Sequence, residues 1–295
     1  MVEKTLQILI FGISLGSIYA LVALGFNLIY KASKVTNFAH GEFLMFGAYV
    51  TYTGVVMLGL PLPLALLLTL ALAGVLGLLV QRLVIQNLIG QPVLSIVVAT
   101  LGAGLVLRGA AALIWGVADR PFPSMFPTTP YKLGGLVIPS VYFASFVISV
   151  VLLAGFFVFF HRTKLGVAMR AVAEDQQAAL SVGLSVRRVL VLIWMWGTGV
   201  AFIGGILLGN IFSIAGQDLV LTLLVVFPAA IVGGLDSIGG AVVGGLFIGC
   251  VEVLGGVLQP HVGPGFRQIL PMVAAVIFLL FRPYGFFGTR TIERV

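Results

Sequence analysis

The sequence predicts an all-α protein: a polytopic bundle of transmembrane helices, about eight or nine spans, with one helical loop outside the membrane and several discontinuous, Gly-rich helices. Three observations carry this. Hydrophobic residues make up 60% of the 295-residue chain and charged residues only 8%, which leaves too little polar surface for a water-soluble domain. The apolar residues fall in runs of about 20, the length a helix needs to cross hydrocarbon. The charges collect between the runs, above all at 161–188, HRTKLGVAMRAVAEDQQAALSVGLSVRR.

In chain order, the expected spans are 5–30, 41–60, 62–83, 92–115, 138–160, 189–214, 219–235, 238–258 and 267–282. The first run reads as a span rather than a cleaved leader, because it continues to Tyr30. The pieces within 219–258 are short and Gly-broken, so a re-entrant segment there stands as an alternative to a crossing. The whole of 1–295 reads as one membrane domain.

The loop charges orient the set. Placing 161–188 in the cytoplasm puts Arg162, Lys164, Arg170, Arg187 and Arg188 there, together with Lys31, Lys34, Arg82, Arg282, Arg290 and Arg294. These eleven are most of the sixteen Lys and Arg residues, as the positive-inside rule requires. The C-terminus is then cytoplasmic, and the N-terminus faces outward if all nine runs cross or inward if one does not. Residues 116–137, rich in Pro and turn formers, become the main outer loop. The net charge of +7 is scattered over span ends, which argues against a nucleic-acid surface.

Within 161–188, Thr163 is placed as an N-cap and Gly183 as a residue just past a helix C-terminus. Ala, Met, Leu, Gln and Glu dominate between them and favour a helix. Val172, Ala179 and Val182 fall near one face at a 3.6-residue period. The segment thus reads as a short amphipathic helix outside the bilayer that offers its surface to a partner. A loop that only anchored topology would need the basic flanks but not a capped, Ala-rich helix.

Glycine pairs at Gly12/Gly16, Gly205/Gly209, Gly240/Gly244 and Gly245/Gly249 permit close helix approach, within the chain in preference to a dimer contact. The single cysteine, Cys250, excludes an intrachain disulfide and is expected to pack.

Ionisable residues inside apolar runs are functional candidates. The segment NFAHGE (37–42) opens a run just after Lys31 and Lys34. It has three readings: a helix broken at Gly41 whose polar groups line a path, Asn37 and Glu42 meeting backbone groups at a helix start, or proton coupling through His40 and Glu42. Arg108 and Glu252 are the other charges within runs and are read as structural. Arg108 either snorkels outward or pairs with a carboxylate, and Glu252 is one such partner. Asp236, in GGLDSIGG, belongs to a turn. The path itself is expected to be largely apolar, with Asn27, Asn37, His40, Glu42 and Asn210 as its polar points.

No catalytic motif is present: HExxH, CxxC, GxSxG and a metal-spaced His cluster are all missing, and no lysine follows a glycine as in a Walker A loop. No catalytic residue, metal or cofactor is therefore expected in this chain. If ATP and magnesium drive it, they bind another polypeptide.

Several stretches together resemble the H-type (LivH-like) permease family of branched-chain amino acid ABC importers. They are GISLGSIYALVALGFNLIY (12–30), NFAHGEFLMFGAY (37–49), ATLGAGLVLRG (99–109), GVAMRAVAEDQQAALSVGLSV (166–186), VGGLDSIGGAVVGGLFIGCVE (232–252) and LLFRPYGFFG (279–288). The resemblance implies a role for the mid-chain loop: docking to an ATPase subunit, with Gly166, Arg170, Ala171, Glu174, Asp175 and Gly183 matching the coupling segment. It also implies a bacterial inner-membrane location and a set of partners: a second, M-type permease, two ATPase subunits and an external substrate-binding protein. Relatives that carry urea, short amides or aromatic acids leave the cargo open. The competing reading is a stand-alone proton-coupled carrier or channel with His40, Glu42 or Glu252 as relay groups.

Overall fold

Each apolar run is a helical stretch in the computed structural model, which describes residues 2–88, 90–133 and 135–288. Arg290 and Arg294, counted above among the inner basic residues, lie outside the described residues. The helices are α1 (Val2–Ser33), α2 (His40–Tyr52, prolonged by a π turn to Met57), α3 (Leu62–Val80, prolonged to Leu88), α4 (Val93–Trp115), α5 (Ser140–Arg162), α6 (Lys164–Glu174), α7 (Gln176–Ser181), α8 (Val186–Phe212), α9 (Leu223–Gly233), α10 (Ile238–Val262) and α11 (Phe266–Phe281). Six stretches, 3–33, 62–88, 93–115, 140–162, 186–212 and 238–262, are long and apolar enough to cross a membrane. Gln217–Gly233 and Phe266–Phe281 are shorter apolar helices. The expected eight or nine spans thus divide into six of full crossing length and shorter ones; a 3₁₀ turn at Gln217–Thr222 precedes α9, which runs on through Pro228 to Gly233. The chain is an all-α, multi-pass membrane protein.

The residues form two compact units that interleave along the sequence: 1–27, 126–150 and 224–295, and 28–125 with 151–223.

In the first unit, α1 meets α10 along a seam of glycines. A Cβ on Gly12 or on Gly16 would stand 2.8 Å from the Cα of Cys250 or Leu246. Gly245 and Gly249 lie against the backbones of Ala20 and Gly16 with no room for a Cβ. The pairs 12/16 and 245/249 therefore pack within this chain, as the sequence suggested, and Cys250 fills the seam. Gly240 and Gly244 meet α9 in the same manner. Ser237 caps α10, its Oγ accepting from Gly240 N at 2.9 Å. The start of α1 is tied to the hairpin of β2 (Tyr131–Leu133) and β3 (Leu136–Ile138), where Gln7 Nε2 donates to Val137 O at 3.2 Å. That sets the N-terminal end of α1 beside the loop expected on the outer side. The C-terminal turn returns to the end of α9, with Phe286 N donating to Val232 O at 2.8 Å.

In the second unit, α8 is the central helix. Gly47 of α2 lies on Phe202, Gly205 of α8 lies on the Leu44 carbonyl, and neither has space for a side chain. On α3, Gly77 sits so close that a Cβ would stand 2.7 Å from Trp194 O. Thr51 and Thr69 share a buried hydroxyl contact of 3.0 Å between α2 and α3. Ser213, in the left-handed region at φ +57°, ends α8 and turns the chain into β4 (Ile214–Ala215). β4 pairs antiparallel with β1 (Arg120–Pro121) in the register Arg120↔Ala215 and Pro121↔Ile214. The β1–β4 pairing was not legible in the sequence because its strands lie far apart along the chain, and the β2–β3 hairpin because its strands are so short.

Candidate functional site

The charged loop is built as a two-helix elbow. Thr163 adopts extended backbone, and its Oγ1 accepts from Gly166 N at 3.0 Å, capping α6. Gly166 rests on the last carbonyls of α5, where a Cβ would stand 2.5 Å from the carbonyl oxygens of Phe159 and Phe160. Arg170 turns back to the same place. Its Nη1 donates to Phe160 O at 2.5 Å and its guanidinium lies 5.6 Å from the Phe160 ring. A cation there meets carbonyls that the end of α5 cannot satisfy by itself. Ala171 accepts the Asp175 N–H at 3.0 Å, and Met169 and Val172 are buried beneath α6.

At Asp175 the expected single helix breaks in two. Asp175 has extended backbone, and its Oδ1 accepts from Gln177 N at 2.8 Å and Ala178 N at 3.0 Å. Its short carboxylate outcompetes the helix for those N–H groups, so the residue that continues a helix on propensity starts a new one instead. The break rotates α7. Val172 and Ala179 are buried as expected, but Val182, expected on the same face, is 76% exposed. Gly183 has φ +81°, with Gly183 N donating to Leu180 O and Leu184 N to Ala179 O, both at 3.0 Å. That is the paired hydrogen bonding of a Schellman end, which a left-handed glycine permits. Two further bonds bind the elbow to the end of α1: Lys31 Nζ to Glu174 Oε1 at 3.2 Å and Gln176 Nε2 to Ala32 O at 2.8 Å.

The second constellation is at the start of α2. Asn37 Oδ1 accepts from Ala39 N at 3.1 Å, and Asn37 O accepts from His40 N at 3.3 Å. This is the helix-start role for Asn37. His40 is fully buried, its ring edge-on to Phe43 with centroids 6.0 Å apart. A Cβ on Gly41 would stand 2.9 Å from Val220 O, so the glycine admits the neighbouring backbone without breaking the helix. One face of α4, at four-residue spacing, receives this segment: Thr100 Oγ1 is 3.4 Å from Thr36 O, Gly104 lies under the Glu42 carboxylate, and Arg108 Nη2 donates to Glu42 Oε1 at 3.0 Å. The Glu42 side chain is 5% exposed and that of Arg108 41%.

The alternative pair Arg108–Glu252 is corrected. Glu252 binds Arg267, Nε to Oε1 at 2.8 Å, and also accepts from the Tyr19 hydroxyl. The sequence reading placed Arg267 at the edge of the last run and missed it as a partner. The first turn of α11 returns beside α10, where Gly255 faces the Arg267 backbone.

The remaining polar points hold loops. Asn27 Nδ2 donates to Gly234 O and Ser237 O, each at 3.0 Å, in the turn containing Asp236. Asn210 Oδ1 accepts from Met125 N at 3.1 Å, and its Nδ2 donates to Ile206 O at 3.2 Å. Asn27 belongs to the first unit and Asn37, His40, Glu42 and Asn210 to the second. An apolar cleft of about 340 Å³ in the second unit is lined by Phe46, Leu72, Val75, Trp115 and Phe202. Its one hydroxyl, Thr53 Oγ1, is engaged by Trp115 Nε1 at 2.7 Å and Tyr49 O at 2.9 Å, so nothing in the cleft matches the charged ends of an amino acid.

In the loop after α4, Asp119 packs on Gly216, and this contact strips part of the water from its carboxylate. That loss, followed by the charge of Asp218 and a hydrogen bond with it, holds the Asp119 carboxyl above the usual carboxylate range.

Six helices of crossing length make this a multi-pass membrane protein, and the described residues carry its charges in a polar elbow and in two ion pairs within the apolar helices. Sequence comparison makes this specific: the chain belongs to the branched-chain amino acid transport system / permease component family, whose profile matches residues 8–281. It is 28% identical to the high-affinity branched-chain amino acid transport system permease protein BraD of Pseudomonas aeruginosa, over 98% of each chain. It is 26% identical to the corresponding permease protein LivH of Escherichia coli K12, over 98% of this chain and 97% of that one. It is 29% identical to a probable branched-chain amino acid transport permease protein LivH of Methanocaldococcus jannaschii, over 92% and 89%. The chain is a permease subunit of an ABC importer.

Proposed function

We propose that this permease is the H-type half of a heterodimer with an M-type permease in a bacterial inner membrane. Two ATPase subunits, which hold ATP and magnesium, work from the cytoplasmic side, where 161–188 and the C-terminus lie. An external binding protein delivers branched-chain or other hydrophobic amino acids, and the bundle passes them by alternating access within one permease domain. The carrying observation is the elbow. Thr163, Asp175 and Gly183 satisfy its helix ends, and Arg170, Glu174 and Gln176 strap it to α5 and α1, so force applied to it moves those helices. The ion pairs Arg108–Glu42 and Arg267–Glu252 weigh against a proton relay, since each carboxylate has a fixed cation.

The test is uptake of radiolabelled leucine by proteoliposomes that hold the full complex and binding protein. Uptake that follows ATP and persists when the proton gradient is collapsed supports the proposal. Uptake that vanishes with the gradient while ATP is maintained overturns it in favour of a proton-coupled carrier. Competition by valine, urea, short amides and aromatic acids for the purified binding protein then fixes the cargo.

A further inference from the structure

The apolar cleft of the second unit and the end of α3 share one helix face. Leu72, Val75 and Leu79 line the cleft. They continue at helical spacing to Leu83, and all four side chains are exposed. Arg82, beside Leu83, is also exposed and lies near the end of a 27-residue crossing stretch. At about 1.5 Å per residue that stretch is longer than a hydrocarbon core of about 30 Å, so Arg82 stands where the apolar layer ends. Gln86, one turn further on, accepts from Arg187 Nε at 3.0 Å. This bond brings the start of α8, with exposed Arg187 and Arg188, to the same edge. None of the three arginines has a carboxylate partner among the described residues. Glu174 holds Lys31, Glu42 holds Arg108 and Glu252 holds Arg267, while Asp175 caps α7. The first turn of α8 has no acidic residue, so nothing nearby offsets the three like charges, and an anion among them recovers the cost of bringing them together.

We infer that Arg82, Arg187 and Arg188 bind the phosphate of an anionic phospholipid whose acyl chain lies along α3 in the apolar cleft. Gln86 holds Arg187 by Nε, which leaves its Nη edge for the phosphate. The lengths agree. Leu72 stands ten residues before Arg82, about 15 Å along a helix axis, which is half of a hydrocarbon core of about 30 Å. The one hydroxyl of the cleft, Thr53 Oγ1, is already bonded, so the lining suits hydrocarbon. A free phosphate ion makes no use of such a cleft, whereas an amphiphile uses both parts. Basic pockets between membrane helices are a known type of lipid-headgroup site. The inference stands on the membrane class of the chain and is independent of what the permease carries.

The experiment uses the full chain in phosphatidylcholine vesicles that hold a minor fraction of phosphatidylglycerol. Trp115 lines the cleft, and Trp196→Phe removes the exposed indole. In the W196F chain, phosphatidylglycerol with brominated acyl chains is expected to quench the remaining fluorescence with an affinity about tenfold or more above that of brominated phosphatidylcholine. Adding R82Q and R187Q is expected to bring the two lipids level. Inorganic phosphate and glycerophosphoglycerol, the headgroup without chains, are expected to leave the quenching unchanged. Equal quenching by the two lipids in the W196F chain overturns the inference, and that comparison needs no arginine variant. Relief of the quenching by inorganic phosphate also overturns it, in favour of a small-anion site. A lipid preference that survives R82Q with R187Q, while co-purified ATPase is lost, overturns it in favour of a protein contact.

Discussion

Gly104 and Glu42 occupy one another's space. The backbone of α4 runs so close beneath the α2 carboxylate that a Cβ at position 104 would stand 3.1 Å from Oε2, and the next turn of α4 brings Arg108 to Oε1 at 3.0 Å. The pair exists because a residue without a side chain stands one turn before the arginine.

A double-mutant cycle tests that pair. Glu42→Gln and Arg108→Gln should each lower the unfolding temperature of the isolated permease, and the double variant should lose less than their sum. The expected coupling is about 1 kcal/mol, at the low end of contacting pairs because the arginine is partly exposed. Additive losses would mean that the two side chains do not stabilise one another.

The glycine contacts make a sharper prediction. Gly205→Ala and Gly47→Ala push a methyl into the backbones of Leu44 and Phe202, and each should cost about 1–3 kcal/mol or more as overpacking. Gly102 and Gly109 have nothing within 4 Å of an added Cβ. Their alanine variants should match or slightly exceed wild type, since alanine is the better helix former. Thermal unfolding of the isolated chain reads all four.

Removing the elbow's inner cap should loosen it locally. Asp175→Ala removes the acceptor for Gln177 N and Ala178 N at a cost of about 1 kcal/mol, and Asp175→Asn should restore most of it. Hydrogen exchange across 176–184 is expected to quicken in the alanine variant and stay near wild type in the asparagine variant. On the proposed importer reading, leucine-driven ATP hydrolysis by the full complex should fall in the same order.

The loop after α4 carries a pH dependence whose sign follows from Asp119. Its folded pKa is raised above the ordinary carboxylate value, so the folded loop holds its proton more tightly than the unfolded one. The stabilisation is complete below the ordinary value and is lost as pH rises through the raised one. Asp119→Asn should therefore protect residues 116–125 from proteolysis more than wild type does at about pH 8, with the difference gone near about pH 4. A difference that grows on acidification would contradict the assignment.

The helices were legible because hydropathy and length determine them, Thr163 and Gly183 because their roles are local, and the glycine pairs because their spacing marks a close contact even though it does not name the helix contacted. Asn37 and Glu42 allowed three readings, and the structure assigns Asn37 to the helix start and Glu42 to Arg108. What escaped depends on distant partners. Spacing alone could not tell which carboxylate Arg108 would meet, nor that Arg267 would take Glu252. The break at Asp175 was overlooked although Asp is a capping residue, because the flanking alanines favour one continuous helix.

Because Thr163, Asp175 and Gly183 satisfy the ends of α6 and α7 from within the chain, the elbow holds its shape without help from any other polypeptide. On the proposed importer reading, a partner that grips it forfeits little chain disorder each time, so repeated release and recapture would need no refolding step.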